Sequence, residues 1–175
     1  MNEVLRKNYF ELFDLPRVFD VDLRVLNQRY QALQLSVHPD RFVSEGEHQL
    51  LLATQITAYI NQAFQALKDP LARARYLLEL RGQWAVAEHE TIKDEEFLME
   101  QIELRQQLAE VHDGGDLDVL DELIEHVNEK TEHLLNELRT QLATNDDHSA
   151  IQAVESVRKL QFLYKIEEEA DRLQD

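Results

Sequence analysis

Seven histidines stand among thirty-five acidic residues, a combination that first raises metal binding and acid–base chemistry. The best-spaced set is Glu122, His126, Glu129 and His133. Glu122/His126 and Glu129/His133 are each four apart, so on one helix both pairs could converge on one ion. Neither histidine of this set has a Glu three residues before it, so the di-iron bundle pattern is missing, and the four read as solvated helix residues. The runs Glu95-Glu96 and Glu167-Glu168-Glu169 read as solvated faces too. Cysteine is absent, which excludes disulfides, thiolate zinc sites, cysteine nucleophiles and cysteine-ligated clusters. Four glycines leave no phosphate-binding loop, nucleophile elbow or dinucleotide fingerprint. Neither a cofactor nor catalysis by this chain is expected.

His38-Pro39-Asp40 carries a chemistry of contact instead. Pro39 fixes its own φ and stiffens the chain. Asp40 offers an acceptor-only carboxylate that suits an arginine on a partner, and His38 can donate or accept beside it. The plain alternative is that His38 and Asp40 merely cap and end helices. The flanking segments argue against that, because both are amphipathic and would form an antiparallel hairpin with the tripeptide at its exposed tip.

The elements that position this tip follow from the apolar spacing. A short helix is expected around Leu5 to Phe13, stopped by Leu15-Pro16. A second starts near Asp22, with Leu23, Leu26, Tyr30, Leu33 and Val37 along one face. After a loop with Gly46, a third spans about 47–68 and buries Leu51, Ile56, Ile60, Phe64 and Leu67. Pro70 opens a fourth, which ends at Arg81-Gly82. Residues 82–90 form a linker bearing the only Trp, Trp84. Beyond it, three helices at about 94–112, 116–143 and 147–174 have short connections, which favours an antiparallel three-helix bundle. The fold class is therefore all-α, with domains at 1–81 and 91–175 in an extended or L-shaped arrangement.

Charge supports this division. Residues 1–81 carry ten acidic and ten basic side chains, and residues 82–175 carry twenty-five and eight, so the second half holds the whole net charge of −17. Such a surface disfavours nucleic acid and anionic bilayers and would steer a basic partner. No apolar run is long enough to span a bilayer, and the opening MNEVLRKNYF lacks a signal-peptide core, so a bacterial cytoplasmic monomer is expected.

The helix at 94–112 has two apolar faces. At roughly 100° per residue, Phe97, Leu104, Leu108 and Val111 fall within about 60° of arc, as a core stripe should. Leu98, Met99 and Ile102 lie on the far side, beside Glu103, Gln106 and Glu110. A second apolar patch must meet the other domain, the linker or a partner. Helix 116–143, by contrast, keeps Leu117, Leu120, Leu123, Ile124, Val127, Leu134, Leu135, Leu138 and Leu142 in one sector of about 120°, which is core.

The HPD tripeptide between amphipathic helices resembles the J-domain family, and Asn8-Tyr9-Phe10-Glu11-Leu12-Phe13 looks like that family's first helix. INQAFQALKDPLARARYLLEL at 60–80 and FLMEQIELRQQL at 97–108 look like the HscB-type co-chaperones of iron–sulfur cluster assembly. The resemblance covers essentially the whole chain. It implies that the tip, with Arg24, Arg29 and Arg41, engages the DnaK-like ATPase HscA. It assigns Leu98, Met99 and Ile102, with Glu103, Gln106 and Glu110, and Phe162 of RKLQFLYKI, to contact with the scaffold protein IscU. The second helix departs from the usual pattern: it holds only Arg24 and Arg29 where J-domains carry several cations. A J-protein for another client is the alternative reading, and a helical metal-binding protein a more distant one.

Overall fold

The computed structural model describes residues 3–44, 46–84, 94–114 and 117–174, and their regular structure is helical throughout. Among the described residues the α-helices are α1 (Tyr9–Leu12), α2 (Leu23–Val37), α3 (Glu47–Lys68), α4 (Pro70–Leu80), α5 (Glu95–Gly114), α6 (Leu117–Ala143) and α7 (Asp147–Gln174). The chain divides into two compact units, Met1–Leu77 and Leu78–Asp175. That division falls inside α4, so Leu78 and Trp84 belong to the second unit. Most of the expected linker lies outside the described residues.

The first expected helix is two pieces: a 3-10 turn at Val4–Arg6, then α1. The break comes from Asn8, whose side chain accepts from the Glu11 N–H while the Glu11 carboxylate accepts from the Asn8 N–H, each at 3.0 Å. This capping box starts a new helix. Phe10, Leu12, Phe13 and Phe19 are buried in the first unit, and the Tyr9 ring stacks on Tyr76 at 4.2 Å.

α2 and α3 pair as a hairpin. Leu26 on α2 faces Ile56, Ile60, Phe64 and Leu67 on α3, all buried. Tyr30 stacks on Phe64 at 4.0 Å and donates its hydroxyl to Asn61 Oδ1 at 3.0 Å. Two expected core positions, Leu23 and Leu51, are exposed. Leu51 lies on the far side of α3 from Ile56, Ile60 and Phe64 when turned at about 100° per residue, while Leu23 sits in the first turn of α2. Asp69 closes α3 and opens α4, its Oδ1 accepting from the Ala72 N–H at 2.6 Å. Gly82, at φ +71°, then terminates α4 in the left-handed region that favours glycine.

In the second unit α5, α6 and α7 share one core. It joins Phe97, Leu104, Leu108 and Val111 of α5 to Leu120, Leu123 and Val127 of α6 and to Leu163, Ile166 and Ala170 of α7. Lys159 of α7 donates to Asp94 Oδ2 at 2.5 Å, and Asp94 Oδ1 accepts from the Phe97 N–H at 3.0 Å. One carboxylate thus caps α5 and ties it to α7, and those bonds lower its pKa. Arg81 donates to the Leu142 and Thr144 carbonyls at 2.8 and 3.0 Å, satisfying the end of α6.

Asp146 caps α7, accepting from the N–H and hydroxyl of Ser149 at 2.9 and 2.8 Å, and these bonds hold its pKa at about 2 against an ordinary 3.8. A depressed folded pKa adds stability that is present above the unfolded value and lost as pH falls through the folded one. Asp146→Ala is expected to melt below the parent at pH 7, and the gap should close as pH drops from about 4 to 2, as thermal denaturation at stepped pH would read out.

Candidate functional site

The tip between α2 and α3 is built by the proline. His38, driven out of helical geometry by the residue after it, takes φ −55° and ψ 128°, and Pro39 opens a single 3-10 turn, Pro39–Phe42. The Asp40 N–H donates to His38 Nδ1 at 3.3 Å, which engages one ring nitrogen and leaves Nε2 for a partner. The carboxylate of Asp40 is 87% exposed and lies 3.5 Å from the same Nδ1. Below the turn, Arg41 Nη1 donates to the Leu35 carbonyl at 3.0 Å, and the Thr57 hydroxyl reaches the Val37 carbonyl at 3.4 Å. Carbonyls orphaned at the end of α2 are thereby satisfied, and the tip sits on a fixed base.

The three cations expected to serve a partner are not equivalent. Arg24 is exposed and pairs with Asp22 at 3.5 Å. Arg41 spends at least one N–H on Leu35. Arg29 donates to the Phe13 carbonyl at 2.6 Å and to the Asp14 carbonyl, with Asp14 Oδ2 at 3.4 Å. It fastens the left-handed turn at Asp14, φ 50°, to α2, which corrects the expectation that it is presented to a partner. Leu35, 73% exposed, and Val43 flank the tip and were missed. Leu35 lies about 180° from the Leu26–Tyr30–Val37 stripe, a signal available in the sequence.

On α5 the two apolar faces separate as the spacing predicts. Phe97, Leu104, Leu108 and Val111 are buried, whereas Leu98, Met99 and Ile102 are 43%, 65% and 67% exposed. Glu103, Gln106 and Glu110 are exposed beside them, and Gln106 Nε2 donates to Glu110 Oε1 at 2.9 Å. Phe162 departs from its expected place on this surface. It is 8% exposed and lies in the core, edge-to-face with Phe97 at 5.8 Å, so it supports the face from beneath and offers a partner little area.

The Glu122/His126/Glu129/His133 set does not converge. His126 Nε2 lies 3.4 Å from Glu100 Oε1, which also binds Lys130, and His133 Nδ1 lies 3.8 Å from Glu137. Among the described residues no three His, Asp or Glu gather as metal ligands would.

Residues 93–171 match the family described as the HSCB C-terminal oligomerisation domain. A co-chaperone protein HscB homolog of Shewanella baltica (strain OS195) is 43% identical over 169 residues, which cover 96% of this chain and 97% of that protein. The chain belongs to the HscB co-chaperone family. Solved HscB structures share the fold over most of their length. Chaperone HscB from Vibrio cholerae aligns with a TM-score of 0.84 at 40% identity, covering 97% of this chain and 98% of that one. The human co-chaperone protein HscB aligns with a TM-score of 0.85 at 27% identity, covering 96% and 82%. As an HscB-family protein the chain is a J-domain co-chaperone of iron–sulfur cluster assembly and not an enzyme. No helix among its described residues is long and apolar enough to cross a membrane.

The two α2 arginines should separate in stability. Arg29→Ala removes charge-assisted bonds to two backbone carbonyls and is expected to lower unfolding free energy by about 1–3 kcal/mol. Arg24→Ala, at an exposed pair, should cost less than about 0.5 kcal/mol. Urea denaturation of the two variants makes the comparison.

Proposed function

We propose that this chain holds an IscU-type scaffold protein on the Leu98, Met99 and Ile102 face while its His38-Pro39-Asp40 tip engages an HscA-type ATPase and stimulates ATP hydrolysis there. The observation that carries the reading is the exposed apolar patch of α5 lying off the core stripe, in a chain of the HscB family. Apolar side chains left in water on a rigid helix gain on the order of 1.5–3 kcal/mol each if a partner buries them fully. Glu103, Gln106 and Glu110 edge the patch and supply polar contacts of orientation rather than bulk affinity.

At the other site Asp40 presents an exposed carboxylate for a bidentate bond to an arginine of the ATPase. His38 contributes Nε2, and Leu35 and Val43 add apolar area. Arg24, Arg29 and Arg41 all carry charge to this side of the molecule, and Arg24 alone of the three has no donor spent on a backbone carbonyl among the described residues. Hydrolysis on the partner drives the cycle, and this chain couples two binding events in the cytoplasm without changing covalent bonds.

Two variants test the separate sites. Asp40→Asn should abolish ATPase stimulation while shifting stability by no more than about 0.5 kcal/mol, since the side chain stands in solvent; stimulation at the parent level would sink the tip's role. Replacing Leu98, Met99 and Ile102 together by Ala should weaken scaffold binding at least about tenfold by calorimetry. It should leave melting nearly unchanged and preserve direct stimulation of the ATPase without scaffold. A large loss of stability with unchanged affinity would show the patch to be structural.

A further inference from the structure

The exposed stripe of α5 that carries Leu98 and Ile102 continues beyond Ile102. Leu98, Ile102, Arg105, Ala109 and His112 follow one another at spacings of four, three, four and three, which sets them on one stripe of the helix. At its C-terminal end this stripe borders a groove of about 450 Å³ between α5 and the end of α7, lined by Arg105, Leu108, His112, Glu169, Arg172 and Leu173. Leu108 is buried in its floor and Leu173 partly so. Residues 82–175 hold eight basic against twenty-five acidic side chains, yet two of the eight, with a histidine, meet here.

Arg105 is the unusual member. Its neighbours three and four residues away are Gln101, Ile102, Leu108 and Ala109, all uncharged, and among the described residues no carboxylate lies within ion-pair distance of it. Its guanidinium instead stands over the Phe162 ring, 5.6 Å from the centroid, a placement that orients the planar fork while leaving donors unspent. Arg172 is half-engaged, with an exposed pair to Glu168 at 3.0 Å. The opposite flank of α5 has the reverse character. The groove toward α6 carries Glu96, Glu100, Glu103 and Glu122 against Lys130.

The geometry points to Arg105 as the anchor for a carboxylate of the client, so that the α5–α7 groove takes an acidic residue, set next to an apolar one, of the same protein that covers Leu98 and Ile102. A guanidinium preset on an aromatic face pairs bidentately with a carboxylate, and Leu108 and Leu173 take the adjoining apolar side chain. Two flanks of opposite sign fix which way a docked segment runs, because reversing it would set acid against acid on the α6 side and base against base here. This inference rests on the scaffold-binding reading of the 98–102 face.

Calorimetric titration with the iron–sulfur scaffold protein tests it. Arg105→Gln should weaken binding by about fivefold or more and Arg105→Glu by a larger factor. Arg105→Lys, which keeps charge but loses the fork, should bind less tightly than the parent and more tightly than Arg105→Gln. Glu122→Gln on the other flank should not reproduce the loss. In the unaltered protein the side-chain Nε–Hε resonance of Arg105 should shift when scaffold is added, which reads the contact without any substitution. Parent-like affinity in both Arg105→Gln and Arg105→Glu, or an unmoved resonance, overturns the inference. If the Leu98/Met99/Ile102 triple variant loses affinity in the same series, the scaffold reading survives that failure. If the triple variant also binds normally, both fall.

Discussion

Everything proposed for the second unit depends on how α5 is rotated in its bundle. Burial of Phe97, Leu104, Leu108 and Val111 against α6 and α7 sets that rotation, and Asp94 locks the helix start by capping Phe97 and binding Lys159. Given that rotation, a helix of about 3.6 residues per turn must put Leu98 and Ile102 outside. Their exposure is therefore not local disorder but the cost of a better-filled core. Turning α5 to bury Ile102 would expose Phe97, Leu104, Leu108 and Val111 together, a larger apolar loss than the gain. The same packing places Phe162 under Arg105, so the core also aims the cation.

The first unit uses a comparable device at smaller scale. Leu26, Tyr30 and Phe64 hold α2 against α3, and Pro39 then forces the chain to turn where the hairpin ends. Arg41 and Thr57 donate to the carbonyls below the turn, and the Asp40 carboxylate stands exposed above it. Both proposed contact surfaces thus stand on regular helices or one short turn anchored to them, a rigid basis for protein recognition.

Much of this was legible in the sequence because the helices are long and their stripes regular. The breaks at Pro16, Pro39 and Pro70, the tip, and the two faces of α5 all follow from residue type and period. What was not legible falls into two kinds. Leu51 and Leu35 were misjudged or overlooked although helical rotation alone places both outside. Arg29 and Phe162 were different, since their fates depend on contacts distant in sequence. Arg29 reaches back sixteen residues to the Phe13 carbonyl, and Phe162 meets Phe97 across the bundle. α7 is apolar around much of its circumference, so no period distinguishes its buried side from its exposed one. Arg73, buried with its guanidinium over Phe19 at 5.0 Å and donating to the Leu67 carbonyl at 2.6 Å, was invisible for the same reason. It reads as an ordinary exposed cation of α4 until tertiary contacts enclose it.

The central claim is that one chain couples scaffold capture to ATPase stimulation, and steady-state ATP hydrolysis by the HscA-type partner in the presence of scaffold reads it most directly. The parent protein with scaffold should stimulate hydrolysis more than the protein and scaffold do separately. A mixture of the Asp40→Asn and the Leu98/Met99/Ile102 variants supplies both surfaces but on different molecules. The account predicts that this mixture fails to restore the extra stimulation that scaffold brings. Restoration to the parent level would contradict it, because the two sites would then not need to share a chain.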